Sequence, residues 1–258
     1  MKLKDFVSKL NTLYPLENKE IWDPSGYSVK FNQAKKLKGV MLAIDVTKEV
    51  IEAAISNDCN IIVTHHPFYF EATKILENEK APYKKELHKL LKEHQITTFG
   101  MHTNYDCDPK GTSYQIVRAL GLEQFVDPQS DKFSAILNYM ISIADLKKLI
   151  EEKLDFHSFR TNVIKDDLDK KMHQIAFLSG SGYVGQINDL AARGVDLIVS
   201  SDFRWSDWIN FRETGINILE IPHLDEQVFV DHLAELLSLE LPKERIFKFK
   251  MKEPYQNL

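Results

Sequence analysis

An α/β fold of two similar lobes, with mixed and largely parallel sheets flanked by helices, is what this 258-residue sequence predicts. Two observations carry the prediction. Short β-prone apolar runs alternate with stretches of helical periodicity, the order of a βαβ unit, which favours parallel strands. That order occurs once in the first half of the chain and again in the second. With 43% hydrophobic residues, the chain can fill either one core or two.

The opening segment MKLKDFVSKLNTLY begins with lysines and apolar residues, as a targeting sequence can. Its Leu3, Phe6, Val7, Leu10 and Leu13 recur at helical spacing, however, with Asp5, Ser8 and Lys9 between them. This is the pattern of an amphipathic surface helix and lacks the continuous apolar stretch of a signal peptide. GVMLAID from Gly39 reads as a strand, and VTKEVIEAAIS as a helix with a stripe of Val50, Ile51, Ala54 and Ile55. NIIVT is then a short buried strand running to His65. A charged stretch leads into a helix over 82–94 carrying Leu87, Leu90 and Leu91, and the strand ITTFG reaches His102.

FSAILNYMISI, ADLKKLIEEKL and FRTNVI read as strand, helix and strand, assignable to either lobe. From Gln174 the first order returns: QIAFLS as strand, SGSG as turn, YVGQINDLAARG as helix, VDLIVS as strand, a helix over 204–214, and INILEI ending before His223. IFKFKM near the C-terminus would complete a sheet. No Gly/Ser-rich linker marks a boundary. The sequence places it at 128/129, giving lobes of 1–128 and 129–258 and leaving open whether they intertwine.

Composition excludes several classes of function. The net charge is −5 and the basic residues are dispersed, so there is no electrostatic footprint for nucleic acid. Only six of the 33 basic residues are arginine, the side chain suited to bidentate phosphate recognition. No uncharged apolar run approaches the roughly 18 residues of a membrane span. Cys59 and Cys107 form no close-spaced pattern, which argues against a disulfide framework or a cysteine zinc site and for a reducing cytoplasm.

In open α/β sheets, ligands bind beyond the carboxyl ends of parallel strands. Three polar groups of this sequence fall at such ends: His65-His66, His102 to Asp106, and His223 to Gln227. Adjacent residues of a strand point to opposite faces. Pro67 ends the strand, so the two imidazoles can diverge toward two neighbouring ions. Alone, HHP reads more readily as a surface histidine pair beside a turn. In MHTNYDCD, Asp106 offers a carboxylate able to bridge two ions, while Asn104, Asp106 and Asp108 equally suit an ordinary turn. In IPHLDEQVF, His223 is a candidate ligand, with Glu226 three residues on and able to face the same way. The alternative is a helix cap at Asp225. A mixed histidine and carboxylate set suits zinc, iron or manganese. SGSG at 179–182 could cradle a phosphate or be a plain tight turn. Trp22, Asp23, Ser25 and Gly26 read as a packing loop, and Trp205, Trp208 and Phe211 as a helical packing face.

Taken in order, WDPSG, VMLAIDVTKEVIEAA, IIVTHHPFYF, HTNYDCDPKG, SGSG and the IPH segment resemble the GTP cyclohydrolase I type 2 homologue family, the YbgI-like, Nif3-like dinuclear metal proteins. The resemblance runs from Trp22 to Glu226. It implies two similar α/β lobes, a toroidal homohexamer, and two divalent ions bound between the lobes. It also implies that His65, His66, Asp106 and His223 are ligands. The family's further ligand is a Glu four residues after the last histidine; here that position is Gln227, and Glu226 stands one residue earlier. Either Glu226 takes the role or the site is weaker, because an amide offers only a neutral oxygen. A second departure lies in SSDFRWSDW, where many relatives carry a His near Ser206. The chain has the short form, without the domain that some members insert between the lobes.

The resemblance points to a metal-dependent hydrolase of a small molecule or nucleotide, with His102 as a proton shuttle. A non-catalytic metal-binding or interaction protein is the other reading, since fold and family do not fix a substrate.

Overall fold

Helix α1 (Leu3–Leu13) buries Leu3, Phe6, Val7 and Leu10, the stripe its spacing predicts. The computed structural model describes residues 1–256. After α1 come β1 (Gly26–Val29), β2 (Val40–Ala43), α2 (Lys48–Ser56), β3 (Ile61–Thr64), α3 (Lys74–Lys80), α4 (Lys84–His94), β4 (Thr97–Gly100) and the single turn α5 (Thr103–Asp106). The middle of the chain supplies α6 (Thr112–Ala119), β5 (Ala135–Ser142), α7 (Ile143–Leu154), β6 (Arg160–Thr161), β7 (Lys171–Phe177), α8 (Val184–Ala192), β8 (Leu197–Ser200), α9 (Trp205–Thr214) and β9 (Ile218–Glu220). A 3-10 turn over His223–Gln227 leads into α10 (Val228–Glu240), and β10 (Ile246–Lys248) follows.

The chain divides into two compact units, neither contiguous in sequence. The first is Met1–Cys107 with Phe229–Met251, and the second is Asp108–Val228 with the chain from Lys252. The 128/129 boundary therefore falls inside the second unit. The reason lies in α6, whose Ile116 and Val117 join one apolar core with Leu137, Ile175 and Leu219. Only three residues separate Asp108 from that helix, too few to show a change in composition.

In the first unit the sheet order is β1-β4-β3-β2-β10. Strands β10, β2, β3 and β4 run parallel, and β1 pairs antiparallel with β4 at the edge. β2, β3 and β4 are buried along their whole length, as strands covered on both faces must be. One covering layer is α2 with α4: Val50, Ile51, Leu87 and Leu91 pack with Met41, Ala43 and Ile62. Helix α2 starts where Thr47 accepts a hydrogen bond from the Val50 amide at 3.3 Å, a side-chain cap on an otherwise orphaned donor.

The second unit repeats the plan with sheet order β5-β7-β8-β9-β6. β7, β8 and β9 are parallel, while β5 and β6 flank them antiparallel. Strand alternation sends Ile175, Phe177, Leu197, Val199 and Leu219 to one core, with Leu146 and Ile150 of α7. The intervening Ala176, Ile198 and Ile218 go to another core, with Ile187 and Leu190 of α8 and Phe211 of α9. On that face the expected triad holds in part: Trp208 stacks edge-on with Phe203 at 5.8 Å, but Trp205 is 82% exposed and packs in no core. At the helix N-terminus it precedes the turn that faces the sheet.

Two five-stranded mixed sheets flanked by helices are thus the architecture of the described residues. Among those residues, no helix is long and apolar enough to cross a membrane.

Candidate metal centre

In the first unit, three neighbouring parallel strands end on polar residues. β2 runs out to Asp45, β3 to His65 and His66, and β4 to His102. Their carboxyl ends lie side by side because the strands pair in register, with Ala43 opposite Thr64 and Thr64 opposite Gly100. The His65 and His66 amides continue the ladder to the Ala43 and Ile44 carbonyls at 3.2 Å and 2.9 Å, after which Pro67 turns the chain away. That turn folds tightly onto β4: a Cβ at Gly100 would stand 2.9 Å from the Pro67 Cα, so only glycine fits there.

The three histidines converge. One ring nitrogen from each of His65, His66 and His102 lies within 4.8 Å of those of the other two, a group that could hold a metal ion. Which nitrogen faces inward follows from what holds the other. His65 Nδ1 lies 3.1 Å from the Met101 carbonyl oxygen, which can only accept, so Nδ1 carries the hydrogen and Nε2 the lone pair. His66 Nδ1 lies 3.0 Å from Asp45 Oδ1, and His102 Nδ1 lies 3.4 Å from Asp23 Oδ1. His65 is fully buried, with Phe229 of α10 at 5.2 Å and Tyr105 at 6.3 Å between ring centroids. Asp106, the last residue of α5, sets Oδ1 3.6 Å from His65 Nε2.

Asp23 ties this arrangement together. Its buried carboxylate accepts the Ser25 amide at 2.9 Å, the Ser25 hydroxyl at 2.7 Å, the Thr103 amide at 3.0 Å and the Thr103 hydroxyl. It thereby caps the α5 turn and braces His102 together. Burial opposes its ionisation, but the neighbouring His102 and the hydrogen bonds from Thr103 and Ser25 hold the carboxyl well below the usual range. The packing role read for WDPSG is therefore incomplete. Asp45 is the second polar residue the motifs passed over, although its place at a strand end could have found it.

The second unit carries an acidic cluster of its own, past the carboxyl ends of β8 and β9. The 3-10 turn His223–Gln227 has three residues per turn, so His223 and Glu226 lie one above the other. Glu226 Oε2 stands 3.0 Å from His223 Nε2, and Asp202 Oδ2 stands 2.7 Å from His223 Nδ1. Burial alone would lower the His223 pKa, but Glu226 and Asp202 push it up to about 12. A field that holds a proton this firmly favours any cation. Asp225 does not cap α10, which starts at Val228; it is fully buried and accepts the Gly180 amide at 3.3 Å. Burial and the neighbouring Glu226 push its carboxyl well above the ordinary range. Two further SGSG amides also turn inward, Ser179 to the Ser113 hydroxyl at 3.0 Å and Gly182 to the Ser200 hydroxyl at 2.9 Å. Three of the four SGSG amides thus serve the protein itself, as in a structural turn.

Comparison with known proteins agrees with both the scaffold and its motifs. The family model described as Duf34/NIF3 (NGG1p interacting factor 3) matches residues 1–255. The chain belongs to the DUF34/NIF3 family. A relative from Mycoplasmopsis pulmonis, called GTP cyclohydrolase 1 type 2 homolog, is 32% identical over 236 residues, which cover 91% of this chain and 92% of the relative. The Staphylococcus aureus hypothetical protein SA1388 superposes with a TM-score of 0.85 at 23% identity, covering 100% of this chain and 99% of that one. A Bacillus cereus protein related to NIF3 gives a TM-score of 0.86 at 18% identity, covering 100% and 99%. At these identities the two structures establish the NIF3 fold.

Proposed function

We propose that this DUF34/NIF3 protein is a metal-dependent hydrolase. In this reading it holds two divalent ions, zinc, iron or manganese, through His65, His66, Asp106, His223 and Glu226, and transfers a proton through His102. The observation that carries the reading is the orientation of His65 and His66, each with Nδ1 set against an acceptor behind it, beside His102, whose Nδ1 faces Asp23 Oδ1 at 3.4 Å. Metal-ligating imidazoles are held in this way, which fixes the tautomer and makes the lone pair on Nε2 more basic. The donor set also fits, since imidazole and carboxylate together suit borderline and hard divalent ions.

Two such ions would acidify a water molecule and polarise a scissile group. The chain's own residues supply the remaining functions. Asp106 brings a carboxylate with enough lone pairs to serve two ions. Phe229 and Tyr105 exclude water from His65. Asp23 fixes the His102 ring, so that a proton can be taken or given at Nε2 without reorganisation. Glu226, three residues after His223 on a 3-10 turn, takes the part that Gln227 cannot. The name of the Mycoplasmopsis relative favours a nucleotide as substrate class, and a homohexamer is the assembly proposed with it.

Protein reconstituted with zinc, manganese or iron should be screened on nucleotides, cyclic esters and phosphoesters. Turnover should vanish together with the metal in His65→Ala. It should fall roughly 100- to 10,000-fold in His102→Gln, with metal retained. Turnover unchanged in His65→Ala and Asp106→Ala would refute the hydrolase. Bound metal with no turnover on any substrate would leave the non-catalytic metal-binding reading in its place.

A further inference from the structure

Trp22 and Phe70 stay out of the apolar core that α2 and α4 form with the sheet of the first unit. They are 61% and 41% exposed, and their rings lie 6.1 Å apart at 46°. Each meets His102 edge-on, at 5.9 Å and 5.8 Å between centroids. A single exposed aromatic side chain needs no explanation. What distinguishes this pair is the backbone beneath each ring.

Trp22 is followed by Asp23, whose buried carboxylate takes the Ser25 and Thr103 amides, while the Glu20 amide donates to the Thr103 hydroxyl at 2.9 Å. Phe70 is pinned by a different carboxylate. Its amide and that of Glu71 donate to Glu77 Oε2 at 2.8 Å and 2.7 Å, and the buried Glu77 pairs with Lys84 Nζ at 2.6 Å. Burying a carboxylate carries a large desolvation cost that only several good hydrogen bonds offset. In both loops that cost goes to fixing main chain beside an exposed ring. A ring on a pinned loop loses little freedom when a ligand covers it.

We propose that Trp22, Phe70 and His102 form a stacking site for a planar heteroaromatic ligand, whose oxygen donor reaches the His65, His66 and His102 cluster. The size of the site points to one ring system: all three pairs of centroids lie within 6.1 Å, whereas a protein partner needs anchors spread over some 800 Å² on each side. The donor end of the ligand rests on the metal reading above. The ring end rests on the aromatic geometry alone.

The experiment titrates pyridine-3-carboxylate and the saturated six-membered-ring analogue cyclohexanecarboxylate into the full chain, metal-free and zinc-loaded. Binding is followed by calorimetry, metal content by elemental analysis and native mass by ultracentrifugation. The flat ligand should bind roughly tenfold more tightly than the saturated one. Trp22→Leu and Phe70→Leu should erase that preference while zinc content and melting temperature hold, and Trp22→Phe should restore most of it. A preference that survives Trp22→Leu overturns the proposal. So does the absence of any preference together with a lower native mass in Trp22→Leu, which would make this face a contact between copies of the chain. Aromatic preference in protein that binds no zinc would defeat the metal reading and leave the stacking site standing. Zinc binding without aromatic preference would do the reverse.

Discussion

Replacing Asp23 by Asn tests the tautomer argument at one atom. The carboxylate accepts through both oxygens: Oδ2 from the Ser25 hydroxyl and from Thr103, and Oδ1 from the Ser25 amide, with His102 Nδ1 at 3.4 Å. An amide of the same shape must turn its NH2 toward one of these sets. Three donors surround Oδ2, so the NH2 settles at the Oδ1 position, where it opposes the Ser25 amide and His102 Nδ1. The stranded Ser25 amide costs about 2 kcal/mol, or a melting temperature lower by roughly 4–8 °C in a chain of this size. His102 moves its hydrogen to Nε2 so that Nδ1 can accept, and Nε2 loses its lone pair. Without a lone pair at Nε2 the ring can no longer take up a proton there, so turnover should fall roughly 100-fold or more while zinc content holds. Turnover on the substrate found by screening measures that loss, and nitrogen-15 NMR of the histidine side chains reads the tautomer. Unchanged turnover with the His102 hydrogen still on Nδ1 would refute the reasoning.

Three further outcomes follow from other parts of the structure. Gly180 sits at φ +54°, and a Cβ there would come within 2.1 Å of Glu226 Oε1; Gly180→Ala should cost about 1–3 kcal/mol in a urea melt and weaken zinc binding by displacing Glu226. Phe229, fully buried against His65 and Tyr105, should cost about 3–5 kcal/mol when cut to Ala, against under 1 kcal/mol for Leu239→Ala on the exposed side of α10. Burial pushes the Cys59 thiol up to about 11 from 9.0, with Arg245 pulling it down and Asp58 adding to the rise. A raised pKa of this kind stabilises the fold fully below the unfolded value and is lost as pH rises through the folded one. Urea unfolding from about pH 8 to about pH 11 should therefore show up to about 3 kcal/mol more alkaline loss in the wild type than in Cys59→Ala, and parallel curves would refute the assignment.

Much of the fold is legible in the sequence because most strands are buried on both faces and most helices on one. Runs such as IIVT and LIVS leave no other reading once a helix stripe lies between them. The misses have local causes. β1 is a four-residue edge strand that follows a turn, with no alternation to read. α3 and α6 are short and polar enough to pass for loop, although α6 buries Ile116 and Val117. The unit boundary was hidden because α10 and β10 return to the first unit, and long-range pairing such as Ile246 with Val40 leaves no local trace.

The site was legible where ligand-type residues end strands, at His65, His66 and His102. It was not legible where the chemistry depends on a distant partner. Asp23 lies 79 positions before His102, and only the fold shows that it braces that ring. Glu226 illustrates a subtler limit. An α-helix would have left both 226 and 227 near His223, and it is the tighter 3-10 turn that sets 226 directly beside it.

The central claim is that the histidines at these strand ends bind divalent metal. Elemental analysis of the dialysed, zinc-loaded chain beside His66→Ala and Asp106→Ala tests it most directly. Wild-type protein should retain tightly bound zinc and each variant should lose it in whole or in part; equal zinc in all three proteins would contradict the account.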